Sequence, residues 1–271
     1  MTPLLEIHDL HVTFSSSVHA LAGVGLQLHA GKSLGIVGES GCGKSSIAKA
    51  IIRLLPKTAR MKGKILYKGR DLLVLPENVM ETVRGKEIGM ILQDTALNPT
   101  MTVGAQIMEG YRRHFPMMNA AQREMQVKEM LSKVGLQHTL FNAYPHTLSG
   151  GMRQRIMIAI ALSCNPQVLI ADEPTTALDV TIQAQILDLI QDLQQELNMS
   201  LILITHDLSL IAKYCDEVLV MCAGKVVESA SVYDLFAHPQ HPYTQALLKA
   251  IPAPDHPKHL PLPVASWREP L

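Results

Sequence analysis

The stretch Gly38-Glu39-Ser40-Gly41-Cys42-Gly43-Lys44-Ser45 decides how the rest of the chain is read. It follows an apolar run, Ser33 to Val37, that predicts a short buried strand, and it precedes Ser46 to Leu55, which has the apolar spacing of a helix. The glycines let the backbone wrap closely around an anion. Several N–H groups then converge on it at a helix N-terminus, where the helix dipole adds favourable partial charge. Lys44 would neutralise the β- and γ-phosphates of a nucleotide, and the Ser45 hydroxyl would ligate Mg²⁺. A glycine-rich turn with no ligand is the alternative, and the strand before it and the helix after it argue against that alternative.

Working outward, Leu4 to Phe14 alternates apolar and polar residues with one slip at Asp9, and Val24 to Leu28 has the look of a second strand before the turn at Ala30-Gly31. An antiparallel layer is thus appended to the core. Phe14 suits either stacking on a base or plain packing. Downstream, Gly63 to Gly69 predicts a hairpin strand, and Ile88 to Leu92 a buried one closed by Gln93-Asp94. Val103 to Val134 switches to helical spacing, with Pro116 and Asn119-Ala120 separating two helices. A helical subdomain is therefore expected at about 95–165, its methionines serving as core filler.

The core resumes at Val168 to Ala171, an apolar strand ending in Asp172-Glu173-Pro174. An amphipathic helix, Val180 to Leu197, and a buried strand, Ser200 to Ile204, follow, the strand running into Thr205-His206-Asp207. Strands alternating with helices imply a parallel sheet, whose functional residues gather at strand C-termini. Ser45, Gln93, Asp172, Glu173 and His206 all lie just beyond such ends and can converge. Asp172 would hold the Mg²⁺ shell, Glu173 would polarise a water for attack on the γ-phosphate, and His206 would contact that phosphate. A hairpin is expected across Ala223-Gly224 and a short helix over Tyr243 to Ile251. Six prolines from Pro252 onward predict an extended tail at 252–271.

Composition narrows the function further. Twenty-four basic residues balance twenty-four acidic ones, and no block of like charge points to nucleic acid or anionic lipid. Cys42, Cys164, Cys215 and Cys222 stand apart, which disfavours a zinc knuckle or a disulfide framework and suits a reducing cytosol. Inside the phosphate loop, Cys42 is a small residue that fits or a reactive thiol. No signal peptide is visible, and the longest apolar run, Ile156 to Leu162, falls far short of the roughly 20 residues that span a bilayer. His238, His241, His256 and His259 invite a metal reading, although proline-flanked tail histidines are usually solvated.

Leu148-Ser149-Gly150-Gly151-Met152 followed by Arg153-Gln154-Arg155 resembles the signature of the ABC-transporter ATPases. The resemblance implies an α/β fold: a P-loop NTPase core of parallel sheet and flanking helices, an appended antiparallel β layer and an inserted α-helical lid. Phe14 then resembles the adenine-stacking aromatic and Gly38 to Ser45, extended to Ser46, the Walker A loop. Gln93 resembles the Q-loop, Asp172 the Walker B aspartate, Glu173 the catalytic glutamate, Ala177-Leu178-Asp179 the D-loop and His206 the switch histidine. The family sandwiches nucleotide between one chain's Walker A and a partner's signature, so Ser149, Gly150, Gly151 and Asp179 would serve the partner's ATP. Residues 1–251 would form the ATPase domain.

Within the family, Tyr144-Pro145-His146, the run Asp172 to Thr181 and the tail His241 to Leu248 look most like the D-type ATP-binding subunits of bacterial oligopeptide, dipeptide and nickel importers. The implied cofactors are ATP and Mg²⁺. The implied partners are a second ATP-binding subunit (an F-type chain or an identical copy), two transmembrane permease subunits and an extracytoplasmic solute-binding protein, without nucleic acid. The implied place is the cytoplasmic face of the plasma membrane, held peripherally. Asp94 to Pro99 is about two residues shorter than the family norm, which bears on the permease contact. With no cysteine after Cys222, no iron–sulfur cluster is expected. A soluble ABC ATPase acting on nucleic acid or ribosomes is the alternative, and a small-molecule kinase would have no use for the signature.

Overall fold

The computed structural model describes residues 2–14, 18–93, 97–176 and 178–250. The chain divides into two compact units, one formed by Met1–Leu73 with Leu203–Leu271 and the other by Val74–Ile202.

The first unit opens with β1 (Leu5–Phe14) and β2 (Val18–Leu28), paired antiparallel. The slip seen in the sequence at Asp9 is a bulge. Asp9 takes a left-handed φ of 49°, and the register of β1 jumps between Ile7 and Leu10 against β2. One extra residue restores the facing of the pleat, so Leu5 and Ile7 before it and Leu10 and Val12 after it are all buried. β2 starts six residues before the expected Val24. Its first half is largely exposed and lacks an apolar alternation to betray it, yet Ala22 N–H donates to Gly224 O at 2.9 Å.

β3 (Ser33–Val37) is buried along its whole length, as a strand covered on both faces must be. Next comes α1 (Lys44–Ile51), shorter than the Ser46 to Leu55 expected. It stops because Arg53 turns left-handed at φ 54°, and its amide and that of Leu54 close back on Ala50 O and Lys49 O. β4 (Arg60–Tyr67) pairs with β1 and, through the Lys68-Gly69 turn, with β5 (Arg70–Asp71), giving an antiparallel order β2-β1-β4-β5.

In the second unit, α2 (Glu77–Val83) leads to β6 (Ile88–Ile91). The two expected helices follow as α3 (Val103–His114) and α4 (Ala120–Lys133). Asn119 and Gln122 form a reciprocal capping box at the start of α4, which explains the break there. Two single 3₁₀ turns, His138–Asn142 and Pro145–Thr147, precede α5 (Gly150–Leu162). β7 (Val168–Asp172), buried throughout, runs parallel to β6 with Ile88 opposite Val168 and Ile91 opposite Ala171. After α6 (Val180–Glu196), the fully buried β8 (Ser200–Thr205) contains the division between the units.

Back in the first unit, α7 (Leu208–Tyr214) is followed by β9 (Glu217–Cys222), which lies parallel to β3 with Leu34 opposite Glu217 and Val37 opposite Val220. β10 (Lys225–Ser231) forms the expected hairpin with β9. The Asp216 carboxylate ties this ladder together by accepting from Ser33 N (2.8 Å), Ser33 Oγ (2.7 Å) and Lys32 Nζ (3.2 Å). Two short helices end the described chain, α8 (Val232–Ala237) and α9 (Pro242–Lys249), the second starting one residue before the helix expected over Tyr243 to Ile251. The proline-rich tail at 252–271 lies outside the described residues. No helix among the described residues is long and apolar enough to cross a membrane.

Candidate nucleotide site

The phosphate loop joins β3 to α1 in the first unit. Two of its glycines are fixed by close approach. A Cβ on Gly38 would stand 2.2 Å from Met221 O, and one on Gly43, whose φ is 107°, would stand 2.6 Å from Ala20 O. Gly43 is also the residue from which α1 starts, with no side-chain cap on the first turn.

Lys44 is only 5% exposed. Its ammonium donates to Gly38 O and Glu39 O, each at 2.8 Å, and lies 3.9 Å from Cys42 Sγ. A buried cation held by carbonyls of its own loop is already positioned for an anion. Ser45 and Ser46 sit half-buried in the first turns, while Glu39, Ser40 and Gly41 are exposed. Burial pushes the Cys42 thiol up by more than the Lys44 charge lowers it, which favours the small filler over the reactive thiol. Phe14, at the end of β1 opposite Val18, is half-buried.

In the second unit, Asp172 ends β7 with 1% of its surface exposed. Glu173 follows in a left-handed conformation, φ 47°, which is unusual for a residue with a side chain. Its Oε2 accepts from Gln93 Nε2 at 3.1 Å and from Thr176 Oγ1 at 3.0 Å. The structure thus brings together Gln93 and Glu173, 80 residues apart in sequence. Asp94, Thr95 and Ala96, where the shortened segment begins, lie outside the described residues, as does Ala177 of the D-loop triplet.

Ser149 caps α5, accepting from Met152 N at 3.3 Å, so Gly150 and Gly151 open a helix. Asp179 does the same for α6 through Ile182 N at 3.0 Å. His206, in the first unit, is exposed just past β8, and Asp207 beside it caps α7. Among the described residues no group of three or more His, Cys, Asp or Glu side chains is placed to hold a metal. His241 is not a loose tail residue: its Nδ1 accepts from Tyr243 N at 3.1 Å and caps α9.

Two contacts were not foreseen. Thr176 supports the Glu173 carboxylate, and the buried Tyr243 hydroxyl accepts from Glu39 N at 3.1 Å. The first could have been suspected from a hydroxyl three residues past a glutamate. The second spans 204 residues and leaves no local trace.

Residues 21–176 match the family described as ABC transporter, and residues 227–269 match the family described as oligopeptide/dipeptide transporter, C-terminal region. The oligopeptide transport ATP-binding protein OppD of Bacillus subtilis is 50% identical over 93% of this chain and 73% of its own length. The dipeptide transport ATP-binding protein DppD of the same organism is 50% identical over 94% and 78%. Among solved structures, the ATP-binding cassette MJ0796, a dimer in a post-hydrolysis state bound to ADP and Pi, is similar with a TM-score of 0.76. It shares 26% identity and covers 84% of this chain and 98% of its own. With a phosphate loop of this geometry inside a match that takes in more than half its length, the chain belongs to the ABC-transporter family as an ATP-binding, ATP-hydrolysing subunit.

Proposed function

We propose that this chain powers a bacterial peptide importer from the cytoplasmic face of the membrane, where a second ATP-binding subunit, two permease subunits and an extracytoplasmic solute-binding protein complete the machine. The supporting observation is that one chain carries both matches, the ABC-transporter match at 21–176 and the oligopeptide/dipeptide C-terminal region at 227–269. Relatives named for oligopeptide and dipeptide transport favour peptide over nickel as cargo.

In this reading the adenine stacks on Phe14 and the phosphates rest in the loop formed by Gly38, Glu39, Ser40, Gly41, Cys42, Gly43, Lys44, Ser45 and Ser46. Lys44 counters the β- and γ-phosphate charge. Glu173 takes the proton of the water that attacks the γ-phosphate, Gln93 orients that carboxylate, and His206 steadies the water. Ser45, Gln93 and Asp172 would each meet the ion through a side-chain oxygen, which suits Mg²⁺, and the ion would add charge neutralisation at the phosphates. Ser149, Gly150, Gly151 and Asp179 meet the nucleotide of the partner subunit, so closure on ATP and reopening after hydrolysis deliver the stroke.

The test is affinity capture of the tagged chain from detergent-solubilised membranes, paired with uptake assays in a deletion strain. Two polytopic subunits and loss of labelled peptide uptake are expected. Recovery of ribosomes or DNA instead, or loss of nickel uptake with peptide uptake intact, would refute it.

A further inference from the structure

The C-terminal helix reaches back to the phosphate loop, and the contact is built rather than incidental. Gly38 C=O and Glu39 N–H belong to one peptide group and point in opposite directions, as in any trans peptide. The carbonyl accepts from Lys44 Nζ at 2.8 Å, and the N–H donates to the Tyr243 hydroxyl at 3.1 Å. The peptide is therefore gripped at both ends. Because Gly38 carries no side chain, little else in its own backbone opposes a flip of that group.

Tyr243 is itself fixed in place. The residue is 1% exposed. Pro242 occupies the first turn of α9 with its preset φ, and His241 Nδ1 caps the helix by accepting from Tyr243 N. The turn before the helix is clamped by Glu228 on β10, just past the register shift that follows Val226. Its two carboxylate oxygens accept from Gln240 N at 2.8 Å and His241 N at 3.0 Å. Burial alone would raise the Glu228 pKa, but hydrogen bonds to the carboxylate, that from Gln240 N–H foremost, leave it lowered. Burial pushes the Tyr243 hydroxyl up to about 12, so it remains a neutral acceptor at working pH.

We propose that Tyr243 is a positioning residue of the nucleotide site: it holds the Gly38–Glu39 peptide so that its carbonyl keeps the Lys44 ammonium aimed at the nucleotide phosphates. The C-terminal region thereby sets the affinity of the loop for ATP. The proposal rests on the phosphate-loop reading of Gly38 to Ser46.

The experiment uses the full chain and titrates it with ATP, recording the Kd and the melting temperature with and without ATP. Tyr243→Phe keeps the ring and deletes one neutral hydrogen bond, which corresponds to an ATP affinity about three- to tenfold weaker. The expected result is that weakening, a smaller ATP-induced rise in melting temperature, and a nucleotide-free melting temperature within about 2 °C of the parent. Unchanged ATP binding would overturn the proposal, as would a drop of several degrees without ATP accompanied by intact affinity, which would make Tyr243 a packing residue. Should Tyr243→Phe not fold, Glu228→Gln carries the test, because it loosens the turn that seats α9 and leaves the hydroxyl in place. Weakened ATP binding there supports the proposal and unchanged binding overturns it. Lys44→Ala in the same assay separates the two levels: undiminished ATP binding removes the phosphate-loop reading itself. Loss in Lys44→Ala with none in Tyr243→Phe removes only the role of Tyr243.

Discussion

Replacing Gly38 by alanine tests how tightly the phosphate loop is packed against the hairpin of β9 and β10. The new Cβ would lie 2.2 Å from Met221 O and 2.8 Å from Cys42 Sγ, well inside the roughly 3.5 Å at which nonbonded heavy atoms balance. Met221 cannot withdraw. Val220 before it is paired to Val37 of β3, and Met221 itself is paired to Val226 of β10. The loop must therefore move, at an overpacking cost of about 1–3 kcal/mol. The φ of 156° at Gly38 adds backbone strain of about 1–2 kcal/mol for any residue with a side chain. Together these amount to about 2–5 kcal/mol, or a melting temperature lower by roughly 4–20 °C in a domain of this size. Gly41→Ala is the internal control, since φ 82° imposes strain there but a Cβ would meet nothing within 4 Å, so about 1–2 kcal/mol is expected. Gly25→Ala, with Ile7 O at 3.5 Å and no positive φ, should be near neutral. Thermal unfolding without nucleotide reads the order, Gly38→Ala lowest and Gly25→Ala with the parent. Equal melting temperatures for Gly38→Ala and Gly41→Ala would refute the claim that the approach of Met221 O is what demands glycine at 38.

Glu173→Gln keeps an oxygen for Gln93 and Thr176 but removes the base, so ATP binding should persist while turnover falls about 10²–10⁴-fold; hydrolysis at the parent rate would take Glu173 out of that role. Ser149→Ala deletes the acceptor that Met152 N reaches at 3.3 Å, and a bond of that length suggests the low end of the capping range, about 0.5–1 kcal/mol, or roughly 1–4 °C by thermal unfolding. An unchanged melting temperature would mean that the cap does not hold α5. Asp216 is pushed up by burial but pulled further down by Ser33 and Lys32, so its folded pKa lies below the ordinary 3.8. A depressed carboxylate pKa contributes stability that is present above about pH 4 and lost as pH falls through the folded value. The gap in melting temperature between the parent and Asp216→Asn should therefore be widest near neutrality and shrink on acidification below pH 4, and a gap that widens there would contradict the assignment.

What the sequence disclosed was whatever is local. Strand, glycine loop and helix are adjacent from Ser33 to Ile51, so their pattern predicts the geometry found. The bulge at Asp9 showed as a break in alternation, because a period of two is upset by one residue. By contrast α2, α7 and α8 have only six or seven residues, fewer than two turns, and display no helical period to detect. The end of α1 was hidden because Arg53 adopts a conformation its side chain does not announce. Contacts between distant segments were equally silent. Asp216 meets Ser33 across 183 residues and Tyr243 meets Glu39 across 204, each serving a backbone N–H that carries no residue-type signal.

Under the proposed role of Glu173, chemistry rather than conformation decides the residue at that position. A strand running on from Asp172 would send successive side chains to opposite faces, and the left-handed φ of 47° breaks that alternation. Glycine would adopt this φ without penalty, whereas glutamate bears about 1–2 kcal/mol. The local hydrogen bonds offset that strain. Thr176 N returns to Glu173 O at 3.2 Å, and Gln93 and Thr176 both donate to Oε2, each such bond contributing about 0.5–1.5 kcal/mol or more when the acceptor is charged. A carboxylate held in a disfavoured backbone geometry by a neighbour three residues on and another 80 residues away is what the proposed role as general base requires. In the proposed mechanism, proton abstraction from the attacking water needs an anionic oxygen at a fixed place, and neither glycine nor an unsupported glutamate would supply one.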